Sequence, residues 1–275
     1  MTQDAVFRRT VLAHWRRHGR HELPWRKTSD PYAILVSELM LQQTQVDRVI
    51  PFYRKFLKRF PSFRTLARAR TANLLAAWQG LGYNRRALLL RACADAVTAR
   101  HGGHLPRTYD TLVALPGIGP YTAGAVMAFA FDLPHPLIET NIRRAYLHHF
   151  FRGARDVPDA AVLDLVRAHL ARTRSPRIWF SALMDYGSML ADRLPKDANP
   201  NRRSRAYVRQ SRFAGSDRQV RGAILRHALA GGGVALRTLS AKLDVDASRV
   251  ARIAAGLERE GFIAVRRGRV AVSGR

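Results

Sequence analysis

The chain of 275 residues contains one cysteine, Cys93, so no disulfide can form within it and no cysteine-ligated metal or cluster can be built. It lacks any run approaching the roughly 18 apolar residues of a membrane span. Its start, MTQDAVFRRTVLAHWRRHGRHELPW, has no uninterrupted apolar core of the kind a secretion signal needs. A soluble cytoplasmic protein without a membrane partner is expected. Acidic residues are scarce: Asp+Glu 20 stand against Lys+Arg 47, giving a net charge of +27 and a pI near 11.6. Such a field calls for an anionic partner, and with no membrane segment that partner is expected to be nucleic acid. Lysine is scarce too, limited to Lys27, Lys55, Lys58, Lys196 and Lys242. The rest of the positive charge is arginine, which binds phosphate bidentately, although a GC-rich coding sequence also raises its frequency. Strand signals are nearly absent before residue 260, and there is no fixed-period repeat or low-complexity tract.

What is present is helical periodicity. Apolar spacing predicts helices over 4–18, 31–48, 49–59, 62–67, 71–78, 84–100, 108–114, 120–132, 139–151, 158–172 and 175–191. Turn chemistry stops them: DP at 30–31, GLGYN at 80–84, HGGHLP at 101–106, DLPHP at 132–136. Many short helices with short loops imply a mainly α class and a compact helical domain over 1–193. Near residue 194 the chain turns polar and Arg-rich, and 194–216 reads as a basic connector suited to a phosphate backbone. From 217 a second pattern begins. It runs as three helical segments, the first amphipathic and the third opening on an Asp/Ser cap, followed by two alternating strands around RRG. That order is expected of a small winged-helix domain over 217–275, a module that serves either DNA grooves and phosphates or protein partners.

The segment LPGIGPYTAG (Leu115–Gly124) contains no acid, base, nucleophile or metal ligand. Gly117 and Gly119 allow backbone angles closed to other residues, and Pro120 fits the first position of a new helix. A tight hairpin between two helices then presents bare backbone N–H groups at a helix N-terminus, which is an anion site. LPGIGPYTAGAVMAFAF resembles the helix-hairpin-helix of base-excision DNA glycosylases. LPWRKTSDPYAILVSELMLQQTQVDRVIPFYRKFLKRFP and AAWQGLGYNRRALLL resemble more specifically the MutY adenine glycosylases, and IETNIRRAY falls where that family has Asp-Gly-Asn. The resemblance covers roughly 7–191. It implies a two-lobed helix-hairpin-helix DNA glycosylase fold, acting on duplex DNA and extruding one base.

Two carboxyls stand out. In LVSELMLQQTQV, Glu38, Gln42 and Gln45 share a polar stripe at helical spacing, beside apolar Leu35, Val36, Leu39 and Met40. A carboxyl so placed should have a raised pKa and hold a proton near neutral pH; in the resemblance Glu38 matches the general acid that protonates the leaving base. Glu139 follows apolar PLI and opens a helix. Ionised, it would stabilise a positive sugar, and it stands where the family usually has the shorter Asp. Tyr121 occupies the position of the lysine in endonuclease III-type lyases. It cannot form a Schiff base, so a monofunctional enzyme is expected. Trp25 and Arg26 resemble residues of the base pocket, and Ser181 falls where the family often has a longer Gln or Glu. Gln43, Thr44 and Tyr83 match positions that contact DNA, Gln43 and Tyr83 as side chains that enter the base stack. Gly117 and Gly119 of the hairpin, with Arg202 and Arg203 of the basic connector, complete the expected DNA contacts.

There are two departures from the family. Its four cysteines for an iron–sulfur cluster are missing, Ala191 standing at the first, so no metal or cofactor is expected. Its MutT-like reader of 8-oxoguanine is not matched by the tail. The expected activity is removal of adenine opposite 8-oxoguanine or guanine by a monomeric, nucleoid-associated enzyme. The alternatives are a thymine or uracil mismatch glycosylase on the same scaffold and a non-catalytic DNA-binding protein.

Overall fold

In the computed structural model, residues 2–208, 213–231 and 233–274 are described. The chain runs α1 (Gln3–His18), α2 (Pro31–Leu41), α3 (Val46–Arg59), α4 (Phe63–Ala67), α5 (Thr71–Trp78), α6 (Arg85–Arg100), α7 (Tyr109–Val113) and α8 (Pro120–Phe129). It continues through α9 (Thr140–Phe150), α10 (Asp159–Leu170), α11 (Pro176–Arg193) and α12 (Asp217–Leu229), then β1 (Val234–Ala235), α13 (Leu236–Leu243), α14 (Ala247–Arg259), β2 (Ile263–Arg266) and β3 (Arg269–Val272). These form two units, residues 1–38 with 105–209, and residues 39–104 with 210–275.

The first unit is built around Phe7 and Val11 of α1, Tyr146 of α9, and Trp179, Phe180 and Leu183 of α11, all buried. Side-chain caps set where its helices begin. The Thr2 hydroxyl accepts from Ala5 N at α1 and the Ser175 hydroxyl from Ile178 N at α11, each satisfying a first-turn donor that has no partner within the helix. Pro120 is the first residue of α8. Gly117 has φ +76° and needs glycine. Gly119 does not use that freedom: it caps α8 with φ −86° and ψ 176°, an extended conformation open to any residue, and a β-carbon there would meet nothing within 4 Å. After α11 the polar stretch up to 208 folds onto this unit. Pro200 and Asn201 are buried, Asn201 donates to the Thr140 carbonyl at 3.0 Å, and Val157 bridges Ser204. The remainder of the expected connector includes 209–212, outside the described residues.

In the second unit α2 stops at Leu41, short of the expected residue 48. Gln43 turns into the left-handed region at φ +57° and Thr44 N closes the turn on the Leu41 carbonyl. Gln42 and Gln45 therefore share no helix stripe with Glu38. The C-terminal part of the unit opens with α12, whose Val220, Ile224 and Ala228 pack with Leu239, Val250, Leu257 and Phe262. Asp246 caps α14, accepting from Ser248 N and Arg249 N. Its sheet is antiparallel in the order β1-β3-β2, with Val265 opposite Val270. Arg267 (φ +51°) and Gly268 (φ +70°) make the two-residue hairpin turn in which both central residues need positive φ. The expected three helices and hairpin thus carry one further short strand, β1.

Candidate active site

Glu38 lies near the end of α2 and is only 6% exposed. The Tyr121 hydroxyl, from the first turn of α8, donates to Glu38 Oε2 at 3.0 Å. Burial pushes the Glu38 pKa up; the Tyr121 hydrogen bond pulls it back and the neighbouring charge of Glu139 raises it again, leaving it at about 7. Tyr121 occupies one carboxyl oxygen, so the other, Oε1, is the one that can carry the proton when Glu38 is protonated. Tyr121 itself is pushed well above its ordinary value by burial and by the two carboxyls, so it stays a neutral donor.

Glu139 is the N-cap of α9. Its Oε1 accepts from Asn141 N at 2.7 Å and Ile142 N at 2.8 Å, and Asn141 Nδ2 donates to Oε2 at 3.3 Å. An environment made only of donors favours the carboxylate, as does the positive end of the helix. Burial still lifts Glu139 above the ordinary carboxylate range; the two backbone N–H groups, with Arg144 and Arg143, limit that rise. Of the two, Glu38, which accepts one hydrogen bond from Tyr121, is the better placed to hold a proton, while Glu139 accepts three.

The residues behind the pair hold it in place. Arg144, buried, donates from Nη1 to Asn141 Oδ1 and to the Gly187 carbonyl, each at 2.7 Å. A guanidinium only donates, so Asn141 must turn its oxygen to Arg144 and its NH₂ to Glu139. Gly187 of α11 lets α9 approach this closely: a β-carbon there would sit 2.1 Å from the Asn141 carbonyl oxygen. Nearby on α11, Asp185 is 3% exposed. It accepts from Arg26 Nη1 at 2.6 Å and Nη2 at 2.8 Å, and from Arg20 Nε at 2.6 Å and N at 2.9 Å. Burial alone would raise Asp185, but these bonds hold it below the ordinary value. Arg26 also reaches the Ser181 carbonyl at 3.3 Å. The expected base-pocket residues Arg26 and Ser181 thus meet where the turn Pro24–Arg26 packs on α11, with the Arg26 guanidinium engaged by Asp185. Trp25 lies half-buried in the adjoining turn Pro24–Arg26.

In the second unit Gln43 and Tyr83 are both exposed and both have positive φ, +57° and +45°. That conformation costs a non-glycine residue about 1–3 kcal/mol and persists only where its surroundings enforce it. One side chain does so. Buried Arg86 donates from Nη1 to the Leu39 carbonyl at 2.6 Å and the Met40 carbonyl at 3.0 Å. Its Nη2 donates to Gly82 O at 3.0 Å and to Thr44 Oγ1 at 3.2 Å. It thereby ends α2 and ties the 42–44 turn to the 80–83 loop; Thr44 serves as part of that tie. Arg202 is exposed and donates to Asp197 O at 3.3 Å. Arg203 Nη1 caps α9, donating to Leu147 O at 3.1 Å and Phe151 O at 3.3 Å. Asn141, Asp185 and Arg86 were not singled out from the sequence. Asn141 and Arg86 carried a signal, since they lie in the recognised segments IETNIRRAY and AAWQGLGYNRRALLL; Asp185 carried none.

A buried carboxyl of raised pKa beside a helix-capping carboxylate is an arrangement suited to breaking a glycosidic bond. A family model described as HhH-GPD superfamily base excision DNA repair protein matches residues 36–169. An adenine DNA glycosylase of Mycolicibacterium smegmatis is 39% identical over 228 residues, 78% of each chain. A thymine/uracil-DNA glycosylase of Pyrobaculum aerophilum is 40% identical over 139 residues, 50% of this chain and 60% of that one. Among solved structures, a thermostable thymine-DNA glycosylase superposes with a TM-score of 0.62 at 27% identity, over 72% of this chain and 92% of that one. The chain belongs to the HhH-GPD superfamily of base excision DNA repair proteins.

Proposed function

We propose that this glycosylase is monofunctional and removes a mispaired adenine, opposite 8-oxoguanine or guanine, from duplex DNA. The observation that carries the reading is Glu38: a buried carboxyl with a pKa of about 7, hydrogen-bonded by Tyr121 and set against the capped carboxylate of Glu139. Adenine is a poor leaving group until a ring nitrogen is protonated. Glu38 Oε1 gives its proton to that nitrogen. The bond from the base to C1′ breaks with its electron pair going to the base, and C1′ becomes cationic. Glu139 stabilises the cation, an effect worth about 10²–10³ in rate for one preorganised partner. Water then adds to C1′, and its proton leaves to a carboxylate. Free adenine and an abasic site are the products. Tyr121 supplies no amine, so no Schiff base forms and strand cleavage does not follow.

The same residues weigh the second reading. A thymine/uracil glycosylase relative shares half of this chain, but a pyrimidine gains less from an acid poised near pH 7. Glu38 favours the purine. An iron–sulfur cluster does not fit the residues present. Cys93, the one cysteine, is buried in α6, and the stretch after α11 where the family holds its cluster packs on α9 through Asn201. We assign DNA contact to the α8 N-terminus at Gly117 and Gly119, to Gln43 and Tyr83, and to exposed Arg202. Residues 217–275 form a winged-helix module, and the enzyme works as a cytoplasmic, nucleoid-associated monomer. The decisive test is a panel of duplexes, each with one mispair or lesion, incubated with the protein and then treated with alkali. Cleavage at adenine opposite 8-oxoguanine or guanine is expected; cleavage at thymine or uracil alone would establish the second reading, and none at all would make the protein a DNA binder.

A further inference from the structure

Tyr83 is 41% exposed and stands on a loop held from beneath. Gly80 has φ +108° and Gly82 φ +73°, Trp78 Nε1 donates to Gly82 O at 3.2 Å, and the Arg86 guanidinium lies 5.5 Å from the Tyr83 ring. The outer end of the ring is engaged from a different part of the chain. Arg218, the second residue of α12, donates from Nη1 to the Tyr83 hydroxyl at 2.9 Å. The helix that carries it is anchored to the same unit: Leu75 of α5 belongs to the apolar cluster of Val220, Ile224 and Phe262, and Leu88 of α6 packs against it. Arg218 also lies over the Phe213 ring at 5.9 Å, which limits its freedom.

We infer that the C-terminal module is a positioning device for base extrusion, with Arg218 holding Tyr83 in the orientation in which it enters the base stack. This rests on the proposed role of Tyr83. A side chain fixed before binding does not lose its rotamer freedom on binding, which for one such side chain is worth between about twofold and about tenfold in the equilibrium it serves. Arg218 acts through the tyrosine hydroxyl, and the hydrophobic seam at Leu75 and Leu88 keeps α12 in register.

The experiment uses the full chain and a mispaired duplex with 2-aminopurine beside the target base, whose fluorescence reports extrusion. Arg218→Met, Tyr83→Phe and their double variant are compared with wild type, with melting curves to show that each folds. Arg218→Met and Tyr83→Phe should each reduce the extrusion equilibrium between about twofold and about tenfold, the double variant no further, and Arg218→Lys should recover part of the loss. The salt slope of binding to undamaged duplex should be unchanged. Additive losses with a shallower salt slope would overturn the inference and make Arg218 a phosphate contact. Tyr83→Ala separates the two readings. If it extrudes normally, the role of Tyr83 fails and the inference with it. If it is defective while Arg218→Met is normal, only the positioning role fails.

Discussion

Glu38 is placed for chemistry at a cost in stability, and the cost has a sign and a size. In the unfolded chain its carboxyl titrates near the ordinary value of 4.5; in the folded protein burial carries it to about 7. Below pH 4.5 both states hold the proton and there is no penalty. Between 4.5 and 7 the unfolded state gives up its proton while the folded state keeps it, so stability falls as pH rises. Above pH 7 the folded protein carries the full penalty. At about 1.4 kcal/mol per pH unit, the interval amounts to roughly 3 kcal/mol. Glu38→Gln removes the titration, and its amide oxygen can still accept from Tyr121. The variant should match wild type near pH 4.5 and exceed it by up to about 3 kcal/mol at pH 8.5, a rise in Tm of about 6–12 °C for a chain of this size. Urea or thermal unfolding of both proteins at the two pH values measures this. A variant no more stable than wild type at pH 8.5, or equally advantaged at both pH values, would show that Glu38 is not held protonated by burial.

Other perturbations follow from the same geometry. Activity needs Glu38 protonated, so the alkaline limb of single-turnover excision should fall through pH 7. Tyr121→Phe removes a hydrogen bond that lowers the Glu38 pKa and should move that limb to higher pH, by up to about one to two units for a bond to a charged group; a limb that stays or moves down would contradict the assignment. Glu139→Asp should retain excision, since the carboxylate remains, whereas Glu139→Asn should lose about 10²–10³ in rate. Equal rates for Asn and Glu with a dead Asp variant would mean that shape rather than charge matters there. Gly187→Ala forces a β-carbon into the Asn141 carbonyl and should destabilise the protein by about 1–3 kcal/mol while depressing excision. A variant that melts like wild type would show that α9 and α11 can part without consequence.

The legible part of this protein was the part written locally. Glu38, Tyr121 and Glu139 each sit in a contiguous motif, and the structure brings all three into electrostatic contact. The Asp246 cap and the RRG hairpin were readable for the same reason. What failed depended on partners far along the chain. The end of α2 is held by Arg86, whose bond to the Leu39 carbonyl spans 47 residues, so helical periodicity ran on to residue 48 and created a stripe of glutamines that does not exist. Asp185 meets Arg20 and Arg26 across more than 150 residues, and no spacing rule announces such a pair. Gly117 and Gly119 look alike in the motif, one residue apart, but of the two only Gly117 uses the freedom of glycine, with a positive φ.

The central claim is that a protonated Glu38 delivers the leaving base. It is tested most directly by single-turnover excision from a duplex carrying adenine opposite 8-oxoguanine, with wild type and Glu38→Gln side by side and abasic sites read by alkaline cleavage. The account expects the variant to bind the duplex with near wild-type affinity and to release no adenine. Excision by Glu38→Gln at the wild-type rate would contradict it.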